Sequence, residues 1–307
     1  MKSILIIGAS GYTGYYTAKL AVKKGHQVSG TYNFRPILIP EVEMHHLEKA
    51  RDYQTNDLIK KIQPEVVIDC AALHNADFCE EHSDLAYVVN ISGTANVARA
   101  CRQNNARMIY VSTDYVFNGK DNLNSYKETD PISPINVYGK TKSEAEKYIQ
   151  NFLKNYVIAR PSDIYGWNPH QYGDLESSSK KSGTFAEWVI KSLRNYQEIN
   201  LFTDQYNNST YVGNLAEMLI EFAENDLTGI FHTPGLTCQN RLDQGLKIAK
   251  VFRLNANLIN PISSDSINQK AKRPKNLCLN TEKVRGSLNT KLLDIESGIT
   301  EMMKSES

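Results

Sequence analysis

A glycine-rich turn near the start of the chain limits the possible folds more than any other feature. Gly8-Ala9-Ser10-Gly11-Tyr12-Thr13-Gly14 follows the apolar run Ile4–Ile7 and leads into Tyr15–Lys24, a segment of helical spacing that stops at Gly25. In a strand–turn–helix unit the first glycine allows a tight turn and the second lets the backbone approach a pyrophosphate. The third permits close packing of helix on strand. The helix start then turns unpaired N–H groups and a positive dipole end toward the phosphates. The spacing is GxxGxxG rather than GxGxxG, so the flanking strand and helix carry the assignment to dinucleotide binding.

The same alternation continues through the first half. Strands are expected at His26–Tyr32, Glu65–Ala71, Arg107–Thr113 and Tyr156–Ala159, with helices at Ala86–Gln103 and Lys140–Asn155. This order predicts an α/β fold, a Rossmann-like doubly wound parallel sheet with helices on both faces. Ligands of such sheets sit at the carboxyl ends of the strands. The second half is less regular, with helices expected at Thr184–Asn195, Val212–Asn225, Arg241–Phe252 and Leu292–Met303. Asn168–Ser182, rich in Ser, Lys, Asp and His, reads as an insertion or lid. The expected division is a dinucleotide-binding domain of residues 1–161 and about 212–250, with a smaller substrate-binding lobe of about 162–211 and 251–307.

Which dinucleotide binds depends on the residues after the second strand. Binders of NAD usually place an acid there, on the ribose hydroxyl. Here the stretch is Gly30-Thr31-Tyr32-Asn33-Phe34-Arg35, and the first acid is Glu41. Lys2, Lys19, Lys23, Lys24 and Arg35 give the first forty residues five cations and no anion. A guanidinium beside the adenosine ribose suits a 2′-phosphate, so NADP is favoured, with Asn33 and Arg35 at that end and NAD as the alternative.

Over the whole chain 35 Lys and Arg nearly balance 34 Asp and Glu, which argues against nucleic acid as a partner. No apolar run is long enough to span a membrane, and the first apolar run is too short for a signal peptide. The five cysteines are odd in number and form no CxxC pair, so reduced thiols and a cytoplasmic location are expected. His45-His46 lacks partners at metal-ligand spacing, and no metal is assigned.

Tyr-x-x-x-Lys puts both side chains on one helix face. With 17 tyrosines in 307 residues, chance produces about one such pair, and the chain holds two, Tyr15/Lys19 and Tyr138/Lys142. Position must separate them. Tyr15/Lys19 lies behind the glycine loop, out of reach of the nicotinamide end. Tyr138/Lys142 follows the Arg107–Thr113 strand, whose carboxyl end should face the nicotinamide. A ketone receiving hydride needs a proton on its oxygen, and a phenol with a pKa of about 10 gives one up slowly. An ammonium group and an oxidised nicotinamide both favour tyrosinate and pull that pKa down. Thr113 would hydrogen-bond the substrate oxygen.

With these residues the chain resembles the extended short-chain dehydrogenases/reductases, and within them the dTDP-4-dehydrorhamnose reductase family. The matching segments are GASGYTG (8–14), VIDCAALHNADFCE (67–80), VSTDYVFNG (111–119), NVYGKTKSEAE (136–146), TDQYNNSTYVGNLAE (203–217), GIFHTPG (229–235) and AKRPKNLCLN (271–280). The resemblance implies a cytoplasmic NADP-dependent reductase of a 4-keto nucleotide sugar. Thr113, Tyr138 and Lys142 would be its catalytic set. Gly8, Ser10, Gly11, Tyr12 and Thr13 would bind the pyrophosphate. Ala71, Ala72 and Asn90 would lie by the adenosine side, and Pro161 and Ser162 would border the nicotinamide. His74, Tyr115, Asp163 and Arg273 are the candidate substrate contacts. Asp163 stands where the family carries tryptophan, and Arg160-Pro161-Ser162-Asp163-Ile164-Tyr165-Gly166 is closer to nucleotide-sugar epimerases and dehydratases. That leaves two alternatives, an epimerase or dehydratase with retained NAD, or a regulatory subunit like the beta subunit of methionine adenosyltransferase. A homodimer is one option for the assembly.

Overall fold

The computed structural model describes residues 1–120, 125–168 and 183–306. Of the expected insertion Asn168–Ser182, only Asn168 falls within them. Among the described residues seven strands form one parallel sheet. In chain order they are β1 (Ser3–Ile7), β2 (Gln27–Tyr32), β3 (Val42–His46), β4 (Val66–Asp69), β5 (Arg107–Val111), β6 (Tyr156–Arg160) and the seventh strand Gly229–His232. Across the sheet the order is β3, β2, β1, β4, β5, β6, seventh strand. The direction of winding reverses between β1 and β4, the place where open α/β sheets hold ligands.

Successive side chains of a strand point to opposite faces, so each central strand serves two cores. On one face Ile4 and Ile6 of β1, Ile109 of β5 and Val157 of β6 pack against the helices Tyr12–Lys23 and Val212–Glu224. On the other, Leu5, Ile7, Met108, Tyr110 and Ile158 meet the helices Asp52–Ile62, Gly93–Gln103 and Val137–Phe152. Burial on both faces explains why β1 reads as an unbroken apolar run rather than an alternating one.

A third core gathers residues from the helices Phe185–Arg194, Arg241–Val251 and Ile295–Lys304 and from a two-stranded parallel pair, Ile199–Phe202 with Ile259–Ile262. Around it lie a two-stranded and a three-stranded sheet, the latter joining Gln239–Asn240, Tyr206–Asn207 and Asn276–Leu277. No described helix is long and apolar enough to cross a membrane.

The structure differs from the sequence reading in several elements. The expected helix Ala86–Gln103 begins three residues earlier, at Ser83, and passes through a π-helical segment at Val88–Ser92 before continuing as Gly93–Gln103. The strand β3 and the helix Asp52–Ile62 carried no clear periodic signal. The expectation of reduced thiols is corrected for one pair, since Cys238 and Cys278 form a disulfide with a Cα–Cα distance of 5.5 Å. Spacing along the chain did not reveal it, because the fold lays Gln239–Asn240 and Asn276–Leu277 against the same strand, Tyr206–Asn207. Cys70, Cys79 and Cys101 remain free thiols.

Candidate active site

The glycine loop turns where β1 ends. Gly8 adopts φ +81°, a region that disfavours other residues, and a β-carbon there would lie 3.0 Å from the Ala71 side chain. Gly8 thus closes one side of the β1–β4 crevice and Ala71, just past β4, the other. A β-carbon on Gly14 would lie 2.2 Å from the Gly8 carbonyl oxygen, so the helix can pack this closely only with glycine. The turn is held by Gly11 N–H donating to Gly8 O at 2.8 Å, Gly8 N–H to Thr31 Oγ1 at 2.9 Å and Ser10 N–H to Thr31 O at 3.2 Å.

The helix Tyr12–Lys23 begins after Gly11 with no side-chain cap and no acid in its first turn. The first amides of a helix have no intrahelical acceptor, so those of Tyr12 and Thr13 are suited to an outside anion. The tight turn at Gly8 against Ala71, together with this uncapped start, fits the diphosphate of a dinucleotide. The Tyr12 side chain turns away toward the other lobe, where its buried hydroxyl lies against Gly166 and has no hydrogen-bond partner among the described residues. Past the end of β2, Asn33 is exposed and Arg35 half-buried. One of the five N-terminal cations, Lys24, is neutralised by Glu224 at 2.9 Å.

Thr113, Tyr138 and Lys142 meet beyond the carboxyl end of β5. Thr113 caps the short turn Asp114–Val116, accepting from Tyr115 N–H at 3.2 Å. The helix Val137–Phe152 starts three residues earlier than its periodicity suggests. Asn136 caps it, accepting from Gly139 N–H at 2.8 Å and donating to Lys272 O at 2.9 Å. Tyr138 therefore lies in the first turn and Lys142 one turn on. The Tyr138 side chain is buried beside Thr113, and its ring meets the edge of Tyr115 at 5.7 Å between centroids.

Lys142 is 2% exposed, donates to Val111 O at 2.8 Å and sits 4.0 Å from the Tyr110 ring centroid. Burial, then repulsion from Lys49, pulls its ammonium down to about 7. Burial also raises the Tyr138 phenol well above the ordinary range, and the neighbouring Thr113 hydroxyl opposes this only in part. The sequence leads one to expect the lysine, with an oxidised nicotinamide, to lower the tyrosine's pKa. Here burial outweighs the lysine, whose ammonium is turned to the Val111 carbonyl and the Tyr110 face.

The Val137–Phe152 helix is anchored from below. One turn past Lys142, fully buried Glu146 accepts from Arg160 Nε at 2.9 Å and Nη2 at 2.6 Å, and also from the Ser112 hydroxyl. Arg160 lies 5.3 Å from the Phe117 ring centroid, and its Nη1 is 3.4 Å from His232 Nε2. Such a pair is costly to bury and still costlier to break by removing one partner. Beside the crevice, next to Ala71, buried Lys49 pairs with Asp69 at 3.0 Å and also donates to Ala71 O. Asp69 in turn accepts from Ala71 N–H at 3.1 Å, so the pair fixes the backbone opposite Gly8.

The remaining expected residues fall into two groups. Ala71 and Ala72 are half-buried at the crevice, His74 is exposed, and Tyr115 is half-buried beside Tyr138. Asp163 is also half-buried, with φ +35°, and takes a two-point ion pair from Arg241 and a bond from Ser209 Oγ at 2.7 Å. The second group is committed to the protein itself. Asn90 is 1% exposed, and its amide is spent on both backbone groups of Leu73 and on Thr141. Arg273 forms a two-point ion pair with Asp77 at 3.0 and 2.9 Å. Pro161 and Ser162 are buried, Pro161 O accepting from Asp114 N–H and Ser162 Oγ donating to the Asp114 carboxylate.

Sequence reasoning missed Lys49, Asp69, Asp114, Glu146, Arg160 and Arg241. Only Glu146 carried a usable signal, four residues after Lys142 on the same helix face. Lys49 and Arg241 are brought in by chain segments far from the motifs.

The whole chain, residues 1–307, matches the RmlD substrate binding domain family. It is 31% identical over 296 residues to a dTDP-4-dehydrorhamnose reductase of Aggregatibacter actinomycetemcomitans, covering 93% of this chain and 92% of that one. A dTDP-4-dehydrorhamnose reductase of Salmonella typhimurium is 25% identical, covering 98% and 97%. Among solved structures, the dTDP-4-dehydrorhamnose reductase of Bacillus anthracis in complex with NADP superposes with a TM-score of 0.83 at 27% identity, covering 100% of both chains.

Proposed function

The chain belongs to the RmlD substrate-binding domain family, and from that premise we propose that it is an NADP-dependent reductase of a 4-keto nucleotide sugar such as dTDP-4-dehydrorhamnose. The observation that carries this reading is the meeting of Thr113, Tyr138 and Lys142 at the strand end next to the glycine-loop crevice. NADPH, when bound, supplies hydride to the carbonyl carbon.

This chain's own residues manage the oxygen. Tyr138 gives it the proton, so the ketone becomes an alcohol and the phenol a tyrosinate that solvent reprotonates. Thr113 hydrogen-bonds the same oxygen and fixes its distance. Lys142, buried and positive below about pH 7, stabilises the tyrosinate and holds the nicotinamide ribose. Gly8, Ser10, Gly11, Tyr12 and Thr13 hold the pyrophosphate through their backbone, and Ala71 and Ala72 wall the adenosine side. Asn33 and Arg35, with no acid between β2 and Glu41, favour the 2′-phosphate of NADP over NAD.

The sugar sits under Tyr115 and Asp163, with His74 at the mouth. Asn90 and Arg273 act from behind, through Leu73 and Asp77. We divide the chain into the sheet domain and a substrate lobe. The helix Arg241–Val251 is counted with the lobe, because its apolar residues pack in the third core.

The test is NADPH oxidation with a panel of 4-keto nucleotide sugars, with the alcohol product identified. Turnover of at least one, with NADPH preferred to NADH, is expected. Tight NADPH binding with no turnover of any keto sugar would count against the reading. NAD(H) that copurifies and does not exchange would favour an epimerase instead.

A further inference from the structure

We propose that Asp114 sets the direction of the Thr113 hydroxyl proton, and so decides whether Thr113 can donate a hydrogen bond to the substrate oxygen. The inference rests on the reductase reading for its consequence, but its premise is a matter of hydrogen-bond accounting. Thr113 Oγ1 has one proton and two lone pairs. One lone pair takes the Tyr115 N–H at 3.2 Å. The single proton has two competing destinations, the Asp114 Oδ1 at 3.1 Å and the place by the Tyr138 hydroxyl where the sugar oxygen must sit.

Asp114 is 2% exposed, and its other oxygen Oδ2 accepts from the Ser162 hydroxyl. An ionised Asp114 is acceptor-only, so it draws the Thr113 proton and leaves only lone pairs facing a ketone oxygen. A protonated Asp114 reverses this. Oδ1–H donates to Thr113 Oγ1, Oδ2 still accepts from Ser162, and the Thr113 proton is free to donate to the substrate. No proton is consumed at Asp114 in a turnover, because the proton added to the product comes from Tyr138.

The surroundings allow both states. Burial pushes the Asp114 carboxyl up to about 7, against the pull of the Ser162 and Thr113 hydroxyls. The charged groups nearby are Asp163 on the segment after β6, which opposes ionisation, and Arg241 on its own helix, which favours it. These two are already paired with one another, so their effects on Asp114 largely cancel. Tyr115 and, from the Val137–Phe152 helix, Tyr138 also face Asp114.

The test combines pH–rate profiles with infrared spectroscopy of the carboxyl group. Lys142 loses a proton over the same range, so the wild-type rate should fall above neutrality with two protons, each costing about tenfold per pH unit. Asp114→Asn presents a permanent donor–acceptor pair and should leave only the Lys142 proton. Two units above the midpoint it should keep about a hundredfold more of its acid-side rate than the wild type does. Ser162→Ala, which removes a donor to the ionised carboxylate, should move the Asp114 step to higher pH. In the sugar-free protein a protonated-carboxyl band should titrate near neutrality, move up in Ser162→Ala and vanish in Asp114→Asn.

An Asp114→Asn profile as steep as wild type, an unmoved midpoint in Ser162→Ala, or an Asp114 ionised throughout the neutral range would each overturn the proposal. If no keto sugar is reduced, the reductase reading fails, while the infrared band and its shift in Ser162→Ala still decide the state of Asp114.

Discussion

Two helices of this protein each follow a parallel strand and each carry tyrosine and lysine four residues apart, yet they are built for opposite purposes. The helix Tyr12–Lys23 starts uncapped at Gly11, with its first amides open to an anion. Its Lys19 is exposed and lies 5.4 Å from the ring centroid of its own Tyr15. The helix Val137–Phe152 is capped by Asn136, and its Lys142 is buried against Val111 O and Tyr110. One helix offers its backbone and the other its side chains. The spacing of two residue types does not make a reaction centre. Burial, and what the strand end beside the helix presents, do.

Removing the two lysines should break the symmetry most visibly. Lys142→Met is expected to lower ketone reduction about 10²–10⁴-fold, and Lys19→Met to leave it within about twofold, the ordinary outcome for an exposed residue. Parallel kcat measurements check this. Next, Glu146→Ala strips the tyrosine helix of its anchor and strands Arg160 in the core. Denaturant melts should show a loss of about 3–5 kcal/mol, and no exposed ion pair near the glycine-loop helix should match it.

A third difference is in the pH dependence of stability. In the fold Lys142 is neutral above about 7, whereas the unfolded chain keeps that amine charged to about 10.4. Between those values the unfolded state binds more protons, so stability from this group rises with pH. Lys142→Met should flatten that rise, by up to about 1.4 kcal/mol per pH unit, and Lys19→Met should not. The smallest effects belong to the helix starts. Gly11→Asp should weaken NADPH about tenfold, or about 1.4 kcal/mol, by placing an anion at the phosphate end. Asn136→Ala should cost about 1 kcal/mol of stability.

The same contrast explains what could be read from the sequence. The glycine loop is local, so Gly8, Gly11 and Gly14 could be assigned from seven consecutive residues, and the structure gives each a steric reason. Thr113 with Tyr138 and Lys142 was legible because a strand end and a helix start are both local patterns. β3 and the helix Asp52–Ile62 were missed because their apolar positions are sparse: β3 holds only Val42 and Met44, and the helix fully buries a single apolar residue, Ile59.

The sugar side was harder, for a physical reason. Asp163 is oriented by Arg241 and Ser209, and Asp77 engages Arg273, each pair joined across long stretches of chain. Arg273, a candidate substrate contact by its sequence, pairs with Asp77, and that pair could not be read from either segment alone. The surplus of positive charge in the first forty residues pointed to NADP, and the fold shows one of those cations, Lys24, held by Glu224.

The most direct test of the account compares the two tyrosines in one assay, NADPH consumption with a 4-keto nucleotide sugar by the wild type, Tyr138→Phe and Tyr15→Phe. The account predicts turnover by the wild type and Tyr15→Phe at similar rates. Tyr138→Phe should still bind NADPH but reduce the sugar about 10²–10⁴-fold more slowly. Equal rates for Tyr138→Phe and the wild type would contradict it.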